Sequence, residues 1–572
     1  LFQGKKMAGH RFNRKAVIIF LLAGAALLEI LIYINVRCLS LARERVANDQ
    51  KRLSILKTAQ KSFPLNEGVF LELGRWWMDH AQVPRLSAGE KTARMRRAMD
   101  YFIQALKLNP GSYQAHFYLA QVGQFLRFWE DIPFDPVDEL KKAAALTTFD
   151  EEAYYQAGRS LFGLWGELST EDRELTLKLL ANVITPATPE RLTEILPLWE
   201  YNGAVDEVIE RLLPQDARMY RLLADYLARR GIKHKLRLVK LAQAEKMEFD
   251  RARRFYSRGI ERTKIGQFRR GEQYFQEAQG LLRGIKFYQS LIGEQLIEEE
   301  EYLTLRKELS KNLALLKLSK GEELASVRFY LEEYLILEDN LSSLKKFIDL
   351  IHQRIKNQGI DETKTEDEFL VFFLETLVDY KKGAYREIID KITTRAGSIL
   401  DNLVRFPTEV AEMWRIMAES YLKLDYLYDS LEYFERAREI KPEDLGILLG
   451  LKKAYERLNR EDKWTEINLL ITQIIQKKNE AFKPVILSPG KPRRFSVLAD
   501  NPTTRLKFVF EFQNSIRPLL AISVNGRVIK ELFLTNQELE VAPGFQMGEN
   551  LVEIISFNTE IKCSRIIVQV KN

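Results

Sequence analysis

Residues 404–458 read VRFPTEVAEMWRIMAESYLKLDYLYDSLEYFERAREIKPEDLGILLGLKKAYERL, and their spacing decides the fold. Apolar residues recur at three and four, the period of an amphipathic helix. Trp414, Ala418 and Tyr421 fall on one predicted helix, Phe434 and Ala437 on a second, and Pro442 stops that second helix where the chain must turn. Beyond the proline, Leu448, Leu451 and Tyr455 restart the order, with 34 residues from Trp414 to Leu448. A small residue such as Ala418 lets a second helix approach closely while an aromatic fills the space beside it. Each helix pair exposes an apolar edge that the next pair covers, so such units stack as a solenoid.

The same frame recurs upstream. Ala59 and Ala105 are followed by Pro64 and Pro110 at the offset that links Ala437 to Pro442. Pro64 leads to Phe70, Leu73, Gly74 and Trp77, and Pro110 to His116, Leu119 and Ala120, with Gly158 as a further small residue. A fragment follows at Gly266, Phe268, Gly271, Phe275 and Ala278. This order of aromatic, leucine, small residue, tyrosine, small residue, phenylalanine, alanine and proline resembles the tetratricopeptide repeat. The resemblance is strong over 404–458 and good over 55–165, while 171–400 reads only as degenerate helical pairs. The repeat near Gly74 departs from the family by carrying roughly 12 extra residues within 80–97.

In that family the first helix of each pair lines a concave groove. The resemblance therefore implies a groove for partner proteins at Leu71, Arg75 and Met78, at Phe117, Gln121 and Phe125, and at Glu412, Arg415, Glu419 and Lys423. Phe117 and Phe125 could equally pack against neighbouring repeats. A basic run between Arg229 and Arg262 could form a binding face, could be plain solvated surface, or could be balanced by the Glu298–Glu301 tetrad.

Before the repeats, residues 1–6 look like a tag remnant and residues 7–15 form a basic tail. Ala16 to Ile34 reads AVIIFLLAGAALLEILIYI, which as a helix spans about 28 Å, close to bilayer thickness. A transmembrane helix is expected over 16–36, as an uncleaved signal anchor. Basic residues flank both sides, Arg11, Arg14 and Lys15 before and Arg37, Arg43 and Arg45 after, so charge does not fix the orientation. Long domains cross largely regardless of charge, which favours a body outside the cytoplasm. Glu29 inside the span is costly in hydrocarbon. With the small Ala25 and Ala26 one turn back, it reads either as a contact to a partner membrane helix or as a neutral side chain near the interface.

After Lys483 the texture changes. Pro484, Pro489, Gly490 and Pro492 read as a linker, followed by seven short candidate strands over 494–498, 506–512, 519–524, 527–534, 539–541, 550–557 and 564–570. Asn525-Gly526 is the strongest hairpin signal. Residues 482–572 are expected to form an antiparallel β-sandwich of immunoglobulin or jelly-roll type. This region contains no Trp, Tyr or His, and Phe545 is its one aromatic expected to be exposed, so a protein-contact or capping role is preferred to sugar binding.

The whole chain thus reads as mainly α: a transmembrane helix, tetratricopeptide-like repeats over 37–170, degenerate repeats over 171–400, clear repeats over 401–481, and the β domain. Its 572 residues carry 87 Lys and Arg against 80 Asp and Glu, a surplus too small to argue for nucleic acid. Two cysteines and five scattered histidines exclude a disulfide framework, a four-thiolate zinc site and HExxH chemistry. No phosphate-binding loop, dinucleotide fingerprint or GxSxG is present, and Asp150-Glu151-Glu152 fits a helix start. No catalytic, cofactor-binding or metal-binding residue is assigned, and no enzyme is expected. The span followed by Ala42-Arg43-Glu44-Arg45 and the repeats, over 16–160, looks like the repeat-bearing end of bacterial O-antigen or exopolysaccharide polymerases, without their multi-pass part. That resemblance implies a single-pass protein of the bacterial inner membrane with its bulk in the periplasm. It would act as a scaffold in an envelope complex for polysaccharide synthesis or export. The alternatives are a carbohydrate-binding accessory protein using the β domain, and an enzyme with its site in the degenerate middle.

Overall fold

The computed structural model describes residues 49–572 except 148–149, 204, 320–329, 331–333, 335–337, 339–340, 358–361, 481–484, 500–503, 513–517, 543, 547 and 570–572. Before residue 49 it describes only Gly24, Ala25, Ala26, Glu29, Tyr33 and Val36, all helical and exposed. The rest of the expected membrane span lies outside the described residues. Among the described residues, no helix is long and apolar enough to cross a membrane. The chain divides into two compact units, residues 1–214 and 215–572.

The first unit is helical: α1 (Asp49–Ser62), α2 (Glu67–Ala81), α3 (Ala88–Leu108), α4 (Tyr113–Glu130), α5 (Pro136–Leu146), α6 (Glu151–Gly163), α7 (Thr170–Val183), α8 (Pro189–Tyr201) and α9 (Asp206–Leu212). From α1 to α7, sequential helices pack on one another, and α2 also meets α4, which is the stacking that the spacing predicts. The pairs close on small residues. A Cβ added at Gly74 would lie 2.4 Å from the Phe102 ring, so only glycine permits that approach. Gly158 sits in the same way over Leu180, and Ala120 is buried. The extra residues at 80–97 are absorbed without breaking the pair, because a capping box between Ser87 and Glu90 starts a longer second helix, α3. Asp150 caps α6 by accepting from the Glu152 and Ala153 amides at 3.0 and 3.2 Å, as its helix-start position predicts. His116 is a core histidine held between Glu139 and the Pro110 carbonyl, at 2.6 and 3.0 Å.

The second unit begins with α10 (Ala217–Arg230), α11 (His234–Lys264), α12 (Phe268–Arg283), α13 (Gln289–Ile292) and α14 (Glu299–Ser319). It continues through α15 (Leu341–Asn357), α16 (Glu362–Lys382), α17 (Tyr385–Thr394), α18 (Ala396–Asp401), α19 (Pro407–Lys423), α20 (Leu427–Ile440), α21 (Leu445–Arg457) and α22 (Glu461–Glu480). Trp414, Ala418, Phe434, Ala437, Leu448 and Leu451 share one apolar core, and Phe434 lies against Gly450 as Phe102 does against Gly74. The middle keeps more of the frame than the fragment at Gly266 suggests. Phe275 packs on Gly259 inside α11, where an added Cβ would lie 2.4 Å from the ring.

The chain ends in β1 (Val485–Leu487), β2 (Arg493–Ala499), β3 (Arg505–Glu511), β4 (Leu519–Val524), β5 (Arg527–Phe533), β6 (Glu538–Val541), β7 (Gly548–Ser556) and β8 (Ile561–Gln569). They form two four-stranded antiparallel sheets, ordered β1-β8-β3-β6 and β2-β7-β4-β5. Both sheets contribute to one apolar core, with Leu506, Phe508 and Phe510 from the first and Val497, Leu520, Ile522 and Val552 from the second. Asn525 and Gly526 both take positive φ, the signature of the tight hairpin turn that their sequence predicts. Two expectations need correction. The segment read as a linker contains a strand, β1, whose Val485 opposes Cys563. Phe545 is 2% exposed and belongs to the core, not the surface.

Every residue of β4 is buried, although its sheet offers only one face to the module's core. The other face is covered by helices. Val528 shares an apolar cluster with Ala224, Leu238, Leu241, Ala242 and Tyr288, which joins the sheet to α10 and α11. Strands β2 and β8 also touch α22, so within the second unit the module meets both the first and the last helices of the array.

Candidate functional site

The groove residues implied by the repeat resemblance fall into two groups. In the first unit Leu71 is buried in the core and cannot meet a ligand. Met78 and Phe125 pack partly against that core, while Arg75 pairs with Glu72 at 3.2 Å and lies over the Tyr118 ring. Phe117 is half-buried, and its ring meets that of Tyr118 edge to face with centroids 5.5 Å apart. Gln121 and Phe125 do line an open depression of about 650 Å³, together with Phe128, Trp129, Arg127 and Glu167. Arg127 and Glu167 pair across it at 2.7 Å. Phe128 and Trp129 stand out on the surface, 81% and 52% exposed, with ring centroids 5.6 Å apart edge to face. Large aromatics at such exposure favour contact with another molecule. They follow the positions that the repeat pattern marks, so the repeat frame does not point to them; the dipeptide Phe128-Trp129 at the end of an amphipathic helix is the signal that could have found them.

In the second unit Arg415 holds Glu412 in a two-pronged pair at 2.8 and 2.5 Å and also bonds Glu419. Tyr380 donates to the other oxygen of Glu419, and burial together with that carboxylate holds its phenol above its usual range. The charges of Arg415 and Glu419 are therefore satisfied internally. Glu419 and Lys423 line a smaller hollow of about 380 Å³ with Leu445, Leu449 and Lys453. Of the membrane-contact candidates, Ala25, Ala26 and Glu29 are helical and exposed, and the helix around them lies largely outside the described residues.

The basic run from Arg229 to Arg262 is only partly a solvated face. Arg237 and Lys240 are buried, and Arg237 forms an ion pair with Glu531 of β5, whose side chain is fully buried. His234 Nε2 lies 3.0 Å from Glu531 Oε1, and the Arg237 guanidinium covers the Phe557 ring at 4.1 Å. Burial pulls the His234 imidazole below its ordinary range. The acidic tetrad does compensate part of the run: Arg253 meets Glu301 at 3.4 Å.

The loop after α12 completes this junction. Lys286 accepts the Val528 amide through its carbonyl at 3.0 Å, and its Nζ reaches Glu553 Oε1 at 3.1 Å. Glu245 of α11 accepts the Lys286 and Tyr288 amides at 2.5 and 2.9 Å. Burial pushes the Glu245 carboxyl up to about 7, with those two amides pulling the other way. None of these links was visible in local sequence pattern. Among the described residues no cluster of three or more His, Cys, Asp or Glu is placed to hold a metal ion.

No family model and no curated protein matches the chain. Solved structures similar to it include the P58(IPK) TPR domain, at 16% identity over 69% of this chain and 99% of that one, with a TM-score of 0.17. Naa15/Naa10 bound to HypK-THB is 11% identical over 78% of this chain and 64% of that one, TM-score 0.21. The APC/C hetero-tetramer Cut9-Hcn1 is 10% identical over 74% and 90%, TM-score 0.20.

Proposed function

We propose that the chain is a non-catalytic helical-repeat scaffold that binds partner proteins. In this reading the apolar segment 16–36 tethers it to a bacterial inner membrane, its bulk lies in the periplasm, and it serves an envelope complex of polysaccharide synthesis or export. The observation that carries the scaffold reading is the depression on α4, where the exposed Phe128 and Trp129 stand beside Gln121 and Phe125. Two exposed aromatics next to a concavity supply the anchor-and-pocket chemistry of protein recognition. The tether rests on the apolar run, and the periplasmic location on the readiness of long domains to cross regardless of charge; the polysaccharide link rests on the resemblance of residues 16–160 alone. We read the strand order of the two-sheet module as a jelly-roll sandwich. None of its described phenylalanines is exposed, so it offers no aromatic platform for a sugar ring, and its role is to clasp the helices.

A photo-crosslinking amino acid placed at Phe128 or Trp129 in cells is expected to give a discrete adduct, whereas one at the exposed Lys107 is not. The Phe128→Ala/Trp129→Ala chain should lose stoichiometric partners in mild detergent while melting at an unchanged temperature. Full partner recovery with the double variant would overturn the reading. Fractionation tests the tether: a chain found in the aqueous phase without detergent would remove it, and retained co-purification after Glu29→Leu would mean the span only anchors.

A further inference from the structure

The part of the basic run that the junction leaves unused lies at the far end of α11. Arg251, Arg254, Arg258 and Arg262 recur at three and four residues, so they share one face of that helix, and Ile265 continues the face past its end. At the rise of a helix the stripe is about 21 Å long. Lys264 ends α11, and Arg269 and Arg270 stand in the first turn of α12, across the connecting turn. Arg254, Arg258, Lys264, Arg269 and Arg270 are exposed and make no side-chain ion pair or hydrogen bond among the described residues. Arg262 reaches the neutral Gln267 at 3.3 Å, and Arg251 lies over the Phe255 ring. Local stability does not explain this pattern. Like charges one turn apart repel, and cations in the first turn of α12 oppose its dipole.

The connecting turn carries the other half of the chemistry. Gly266, at φ 77°, lets it close, with the Gln267 amide donated to the Arg262 carbonyl at 2.9 Å and the Gly266 amide to the Thr263 carbonyl at 3.1 Å. Ile265 and Phe268 flank this tip, 58% and 46% exposed, and neither belongs to the apolar core that α11 and α12 share. A Cβ added at Gly266 would meet nothing within 4 Å, so the tip stands clear of the other described residues.

We infer that this end of the α11–α12 pair is a docking surface for an anionic lipid bilayer. The guanidinium groups meet lipid phosphates, for which their planar donors are suited, while Ile265 and Phe268 enter the boundary between headgroups and acyl chains. Each cation near such a surface strengthens attachment about fivefold. A nucleic acid would answer the cations but offers no aliphatic medium for Ile265. The inference rests neither on the partner-binding surface of α4 nor on the tether.

An environment-sensitive dye on Gln267→Cys tests it, in the full chain with Cys38→Ser and the buried Cys563 left in place. With vesicles of phosphatidylglycerol and phosphatidylcholine the dye emission is expected to shift to the blue, and with phosphatidylcholine alone it is not. The same dye on Glu277→Cys, about 15 Å further along α12, should not respond. Arg258→Ala/Arg269→Ala should raise the phosphatidylglycerol fraction needed for half of the shift. Ile265→Ser/Phe268→Ser, which keeps every charge and changes two exposed side chains, should abolish the shift. No shift with the anionic vesicles overturns the inference, and so does an equal shift with phosphatidylcholine alone. A shift with polyuridylate and none with vesicles overturns it in favour of nucleic acid.

Discussion

The seam between Gly74 and Phe102 and the junction between Arg237 and Glu531 join their elements by opposite means. At the seam a missing Cβ lets a ring lie directly on helix backbone, and nothing polar takes part. At the junction the module is held by a buried ion pair, a strand amide donated to a loop carbonyl, and the Glu245 carboxylate that orders that loop. Repeats therefore stack through shape, which any neighbouring unit of the same pattern can satisfy. The module adds, to the apolar cluster at Val528, charges that only one surface answers. Buried pairs contribute little net stability but strongly penalise a lost partner, so the junction specifies a position more than it adds strength.

This contrast can be broken at several points. The largest effect is expected for Arg237→Ala, which strands Glu531 without its cation and should cost about 3–5 kcal/mol. Urea unfolding of the full chain should show it as an early transition, and Arg237→Met with Glu531→Leu should recover most of the loss. Next is the pH dependence of Glu245. Its folded value of about 7 stands above its ordinary 4.5, so its contribution is fully present below pH 4.5 and is lost as pH rises through 7. The penalty of Glu245→Gln, measured against the native chain by denaturation, should fall by about 3 kcal/mol between pH 4.5 and 7.5. Gly74→Ala forces a methyl group into the buried Phe102 ring and should cost about 1–3 kcal/mol, with no dependence on pH. Lys286→Ala should cost about 1 kcal/mol or less, because the side chain is partly exposed and Arg494 still holds Glu553 at 2.6 Å.

Much of the shape-based part was readable in advance. The interval from Ala418 to Phe434 puts a small residue and an aromatic ring on successive helices of one core, and Gly259 and Phe275 stand at the same sixteen-residue interval in the middle of the chain, ring on glycine. Anchoring the frame on Gly266 instead hid that pair. In the β module, Asn525-Gly526 located a hairpin, and the run LLAISV over 519–524 carried an unused message: a strand without alternation is covered on both faces. Strand β1 escaped because three apolar residues between prolines are too short to show a period. The charged junction was not legible at all. Arg237 and Glu531 lie 294 positions apart, and each reads locally as an ordinary surface residue on its own element. For the α4 depression, Gln121 and Phe125 were found from the repeat frame, whereas Phe128 and Trp129 required the exposure that only the fold supplies.

The amide that Val528 gives to the Lys286 carbonyl has one more effect. Strand β5 is the outermost member of its sheet, and outer strands carry unsatisfied backbone donors that invite pairing with another chain. By taking one of those donors, the loop covers part of that rim. A protein whose module had come loose would be prone to self-assemble into aggregates, so turbidity or light scattering after Arg237→Ala would report detachment before any loss of helix.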